Sequence, residues 1–124
     1  MYKLCLTVAS LFGGLSVLFG SFGAHSLKGR FSDYEVSVFE TACRYQMYHA
    51  LALFAVALLW KNQPHIGLNV TFFCFFSGTL LFSGSLYALV LTGVKVLGAI
   101  TPVGGVLLLT GWGSLLYMAL TSDI

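Results

Sequence analysis

Four long apolar segments, roughly 4–24, 38–60, 68–91 and 99–120, take up almost the whole chain. A helix needs about 20 apolar residues to cross hydrocarbon. In lipid the backbone must bond within itself, so such segments fold as helices. The sequence therefore predicts an all-α integral membrane bundle of four transmembrane helices. Its 124 residues form one transmembrane domain, 1–124. Only 8% of the residues are charged and the mean hydropathy is +0.92. A soluble domain carries about 25% charged residues, so this chain lacks the polar groups to cover a soluble surface.

The net charge of +2 is small and scattered, which argues against nucleic acid as a partner. Cys5, Cys43 and Cys74 are widely spaced and make no C-x-x-C pair. They signal neither a zinc knuckle nor a redox dithiol and are expected as small apolar residues inside helices. Lys3 and the run behind it invite comparison with a signal peptide. The run is long and patterned with Gly and Ser, so it is expected to remain as the first helix.

Ser10/Gly14 and Ser16/Gly20/Ala24 are small residues spaced by four on the first helix. That spacing lets a second backbone approach closely and predicts a buried packing helix. The polar connection 25–37 follows, with Gly29 for a turn and Ser32 or Asp33 to cap the next helix. That helix is expected to start near Tyr34, with Glu35, Glu40 and Arg44 at the interface and the crossing itself at 38–60. On the third helix Phe72, Phe73, Phe75 and Phe76 are expected toward lipid and Ser77, Gly78, Thr79, Ser83, Gly84 and Ser85 toward protein. Thr101-Pro102 suits the start of the fourth helix. Gly104 and Gly111 share one of its faces, and Trp112 and Tyr117 suggest an interfacial belt.

Lys28, Arg30, Arg44 and Lys95 lie on one side of the bundle, against Lys3 and Lys61 on the other. Lys/Arg excess marks the cytoplasmic side, which places loops 25–37 and 92–98 in the cytoplasm. Leu18-Phe19-Gly20-Ser21 echoes Leu81-Phe82-Ser83-Gly84, a match that Gly/Ser-rich membrane helices also produce by chance.

The ends of helices 1 and 3 and the starts of helices 2 and 4 share one membrane face. Onto it fall His25, Glu40, Arg44, Tyr45, Gln46, His49, Ser85, Tyr87 and Thr101, a candidate polar network. Glu40 and Arg44 are spaced for an i, i+4 ion pair. His49 lies deeper, and an ionisable residue at depth is a functional candidate. Its structural alternative is a neutral imidazole bonded to a carbonyl or to a hydroxyl such as Ser85. His25 suits a cap on helix 1. The spacing of His25, Cys43 and His49 does not demand a metal, and no motif of hydrolase, zinc protease or phosphate-loop type is present. No cofactor, metal or catalytic residue is expected.

Four segments carry a family resemblance: Phe22-Gly23-Ala24-His25-Ser26-Leu27-Lys28; Phe39 to Leu51 around Tyr45-Gln46-Met47-Tyr48-His49; Leu81 to Leu89; and Leu97 to Gly105. Together they resemble the bacterial membrane family called domain of unknown function 423. The resemblance implies a multi-pass, four-helix protein of the bacterial inner or plasma membrane, with no activity or site residues to transfer. The expected role is a non-enzymatic module packing against a second copy or a membrane-protein partner within the lipid bilayer. The alternatives are a transporter or channel component for a small solute, proton or ion gated through the polar network, and a binder of a lipid or quinone between helices.

Overall fold

The computed structural model describes residues 1–122. The order is α1 (Tyr2–Phe22), a π-helical turn (Gly23–Leu27), α2 (Asp33–Asn62), α3 (Ile66–Thr92), a 3-10 turn (Lys95–Ala99) and α4 (Thr101–Thr121). All four α-helices are long and apolar enough to cross a membrane. The protein is an all-α integral membrane bundle.

The connection 25–37 is shorter than its polar sequence suggests, because structure enters it from both sides. Gly23 continues α1 into the π-helical turn and admits Phe39 of α2, whose ring would lie 2.9 Å from a Cβ at that position. Leu27 then packs with Phe39, Cys43 and Val90 in a small core at this end. On the other side α2 starts at Asp33, one residue before the expected Tyr34 and well ahead of the crossing at 38–60. The Glu35 amide donates to Ser32 Oγ at 3.1 Å and the Ser32 amide donates to Glu35 Oε1 at 3.3 Å. This reciprocal cap satisfies two amides that no helical carbonyl can reach. Likewise 92–98 is no open loop. Gly93 ends α3 at φ 72, a left-handed conformation that suits glycine, and the 3-10 turn follows.

The principal contacts run α1 to α2, α2 to α3 and α3 to α4. Side chains complete a diamond. Phe12 stacks on Phe76 and Phe19 meets Tyr87 edge-on, linking α1 to α3, while Trp112 of α4 reaches His49 of α2. Helices α2 and α3 form the central pair, with α1 and α4 as flanks. This corrects the expectation for the phenylalanines. Phe72 and Phe75 are buried, Phe76 is partly buried and Phe73 is exposed, because a central helix has neighbours on several sides.

Helix α1 is corrected too. Ser16 is buried, but Ser10, Gly14, Gly20 and Ala24 are exposed, and nothing stands near Gly14 or Gly20. Close backbone packing belongs instead to α3 and α4. A Cβ on Gly104 would strike the backbone of Phe82, and one on Gly78 would come within 2.8 Å of Leu108. Gly111 gives way to the Phe75 ring in the same seam.

Candidate functional site

The expected polar network separates into two levels and loses its charged members. Gln46 and His49 lie near the middle of α2, hence near the middle of the bilayer, and both are buried. His25, Glu40 and Arg44 are exposed and join no inter-helix hydrogen bond among the described residues. No Glu40–Arg44 ion pair forms among the described residues. Both side chains border an open groove between α1 and α2, so Arg44→Ala does not strand a buried carboxylate. His25 caps nothing through its side chain; the end of α1 instead runs on into the π-helical turn.

Gln46 ties three helices together. Its Nε2 donates to the Phe12 carbonyl of α1 at 2.8 Å, and its Oε1 accepts from the Tyr87 hydroxyl of α3 at 2.7 Å. Two hydroxyls reach backbone carbonyls of α2 nearby: Ser16 from α1 to Cys43 at 2.7 Å, and Ser83 from α3 to Ala42 at 2.8 Å. Buried donors without water must find such acceptors, since an unmet group in hydrocarbon costs several kcal/mol.

His49 faces the opposite flank. Its Nδ1 lies 2.7 Å from the Tyr45 carbonyl, and its Nε2 accepts from the Trp112 indole N–H at 3.1 Å. A carbonyl only accepts, so Nδ1 carries the proton and the ring is the neutral tautomer. Both nitrogens are occupied, so charging His49 would require breaking the Trp112 contact. Ser85, expected as its partner, bonds instead to Thr101 at 2.6 Å, fixing the start of α4 on α3. Tyr45 lies mostly outside, its ring 4.8 Å from that of Phe82. Trp112 is corrected from a belt residue to a mid-membrane donor. Trp112→Phe removes the one contact to His49 Nε2 and is expected to cost about 1 kcal/mol. Reversible unfolding in mixed micelles measures it, and an unchanged profile would show that this bond is not formed in the membrane.

A second polar cluster, at the opposite membrane face, was not foreseen. His65 caps α3 by accepting from the Gly67 amide at 3.0 Å, and Thr71 bonds both the Gly67 carbonyl and Ser114 of α4 at 3.1 Å. A histidine two residues before a glycine is a weak signal for such a cap. No group of three or more His, Cys, Asp or Glu placed to hold a metal ion occurs among the described residues.

Four apolar helices, the first three joined by hydrogen bonds to backbone carbonyls and the fourth by the Trp112–His49 bond, define a small polytopic membrane protein whose polar side chains serve inter-helix contacts. The family model described as "Protein of unknown function (DUF423)" matches residues 19–105. The chain belongs to this family. A UPF0382 membrane protein of Staphylococcus aureus (strain bovine RF122 / ET3-1) is 47% identical over 110 residues, covering 89% of each chain. The UPF0382 membrane protein YwdK of Bacillus subtilis (strain 168) is 43% identical over 111 residues, 89% of this chain and 90% of its own. No solved structure matches the chain.

Proposed function

We propose that this protein is a non-enzymatic membrane module that associates with a second copy of itself through the outer face of α1. One observation carries this. Thr7, Ser10, Gly14, Val17, Ser21 and Ala24 recur at alternating spacings of three and four, and all are exposed, on the side of α1 opposite buried Cys5, Phe12 and Ser16. The outer face of α4 is bulkier: around exposed Thr110 and Gly113 it presents Val103, Val106, Leu109, Leu116 and Leu120, which suit lipid contact. Apart from Val17 the α1 residues are small, and small residues give lipid little to grip but let a helix backbone approach closely. A seven-residue repeat of this kind favours two helices crossing at a shallow angle.

The gated-pathway alternative gains no support from the geometry, since His49 makes no hydrogen bond with His25, Glu40 or Arg44 among the described residues. The bacterial origin of the relatives supports placement in the plasma membrane. The Lys28, Arg30, Arg44 and Lys95 end is proposed to face the cytoplasm, on the Lys/Arg excess already described.

Cysteine cross-linking tests the interface in a Cys74→Ser background, where the remaining Cys5 and Cys43 are buried. Ser10→Cys, Gly14→Cys and Ser21→Cys are expected to give disulfide dimers in native membranes. Leu109→Cys, 72% exposed on α4, is expected to stay monomeric. Equal cross-linking at all four positions, or dimers from Leu109→Cys alone, would rule out α1 as the interface.

A further inference from the structure

We propose that the groove between α1 and α2 holds a membrane phospholipid of the phosphatidylethanolamine type, with its phosphate at Arg44 and its ammonium at Glu40. The starting observation is a pair of charges left apart. Glu40 and Arg44 stand four residues apart on α2, in the order that favours an ion pair along a helix. They form none among the described residues, and both are exposed. Lys28 borders the neighbouring space beside Glu40 and makes no ion pair with it among the described residues. Two opposite charges thus remain open on the α2 side of one groove.

Their depth decides what answers them. The 30 residues of α2 run about 45 Å, against about 30 Å of hydrocarbon. Lys61, exposed at the other end of α2, marks the far interface. Measured back from there, the hydrocarbon takes about 20 residues and ends near residue 41. Arg44 therefore lies just inside the hydrocarbon edge and Glu40 just outside it. Helical side chains lean toward the N-terminus, here toward the nearer membrane surface, and a long arginine carries its head the same way. A guanidinium left unpaired against hydrocarbon is costly. The headgroup layer is where a bilayer offers it an anion.

Going inward along α2, the groove presents Glu40, then Arg44 one turn deeper, then Met47 and Tyr48. A phosphatidylethanolamine presents the matching order from its outer end: ammonium, phosphate, hydrocarbon. The two charges sit about 6 Å apart along the helix axis, within reach of one headgroup for two flexible side chains. A primary ammonium has three N–H groups to donate, and a carboxylate accepts them. A quaternary ammonium has none, and an anionic glycerol headgroup would set its charge against Glu40 with no cation in return. Deeper in, the groove suits an acyl chain. Its volume is about 340 Å³, and nothing stands near the place of the missing Gly20 side chain. Ser16 spends its hydroxyl on the Cys43 carbonyl and asks nothing of a ligand. A neighbouring polypeptide would have to bring a base and an acid in this same order, whereas every lipid of this class carries both.

Native mass spectrometry from mild detergent tests the assignment, with equimolar dioleoyl phosphatidylethanolamine, phosphatidylcholine and phosphatidylglycerol as competing probes. The wild type is expected to retain one phosphatidylethanolamine about fivefold more tightly than either competitor. Glu40→Gln should bring phosphatidylethanolamine down to the level of phosphatidylcholine and leave phosphatidylcholine unchanged. Arg44→Gln should weaken all three, since each carries a phosphate. Gly20→Leu fills the groove from a position where the new side chain meets nothing in the chain, and should also weaken all three. Thermal midpoints in lipid-free detergent should be unchanged in these variants, which separates lost binding from lost folding. Equal retention of the three lipids by the wild type, or a preference for phosphatidylglycerol, would overturn the assignment. So would a phosphatidylethanolamine preference that survives Glu40→Gln or Gly20→Leu, because the lipid would then sit elsewhere. A lowered lipid-free midpoint in Glu40→Gln or Arg44→Gln would overturn it too, by showing that these side chains serve the fold itself.

Discussion

Gly104→Leu is expected to destabilise the bundle by about 3 kcal/mol or more, from overpacking where relief is hard to find. The obstacle is backbone. A side chain at this position meets the Phe82 amide and Cα and the Gly78 carbonyl on α3, and none of these can rotate away as a side chain could. Gly104→Ala should already show part of the loss. Gly113→Leu is the control, because Gly113 is exposed on the same helix and a Cβ there meets nothing within the chain. Unfolding of both variants in mixed dodecyl maltoside and dodecyl sulfate micelles should separate them clearly. Equal midpoints would show that α3 and α4 do not meet at this seam.

Gln46→Leu is expected to cost about 2 kcal/mol. Individual hydrogen bonds inside membranes are worth about 0.6 to 2 kcal/mol. This change removes two and leaves the Tyr87 hydroxyl without its acceptor. Tyr87→Phe alone should cost about 1 kcal/mol, since it strands Gln46 Oε1 but spares the bond to Phe12. Because the two residues share a bond, the double variant should fall short of the sum of the single losses by about 1 kcal/mol. Strict additivity would refute the pairing.

The spans were legible because a segment long enough to cross hydrocarbon has few other uses, and the Ser32–Glu35 cap was legible because its side chains are local in sequence. Which face of each helix looks inward was harder. In a membrane, apolar residues suit lipid and core equally, so Phe72 and Phe75 carried no mark of their burial. Ser10 and Gly14 carried the pattern of a packing face without naming its partner. His49 stood out as a polar residue at depth and Gln46 only as a member of the polar end, and two of their partners are the carbonyls of Phe12 and Tyr45, groups that every residue has. Trp112 fitted the interfacial rule for aromatics, and only its height along α4 shows it reaching His49. Thr79 was expected toward protein with the other small residues of α3, and it is buried.

The way Gln46 and His49 are bonded bears on how the chain can be assembled in the membrane. Each has one bond available early: Gln46 to Phe12 of the preceding helix, and His49 to Tyr45 of its own. Each then waits on a donor that comes later in the chain, Tyr87 for Gln46 and Trp112 for His49. A polypeptide synthesised from its N-terminus therefore delivers α2 to lipid with its polar side chains already half satisfied. Its remaining acceptors are filled in the order of translation, first by the third helix and then by the fourth. Polar residues in mid-bilayer are thus tolerated at each stage of insertion, and each vacancy on α2 becomes a docking address for the next helix to arrive.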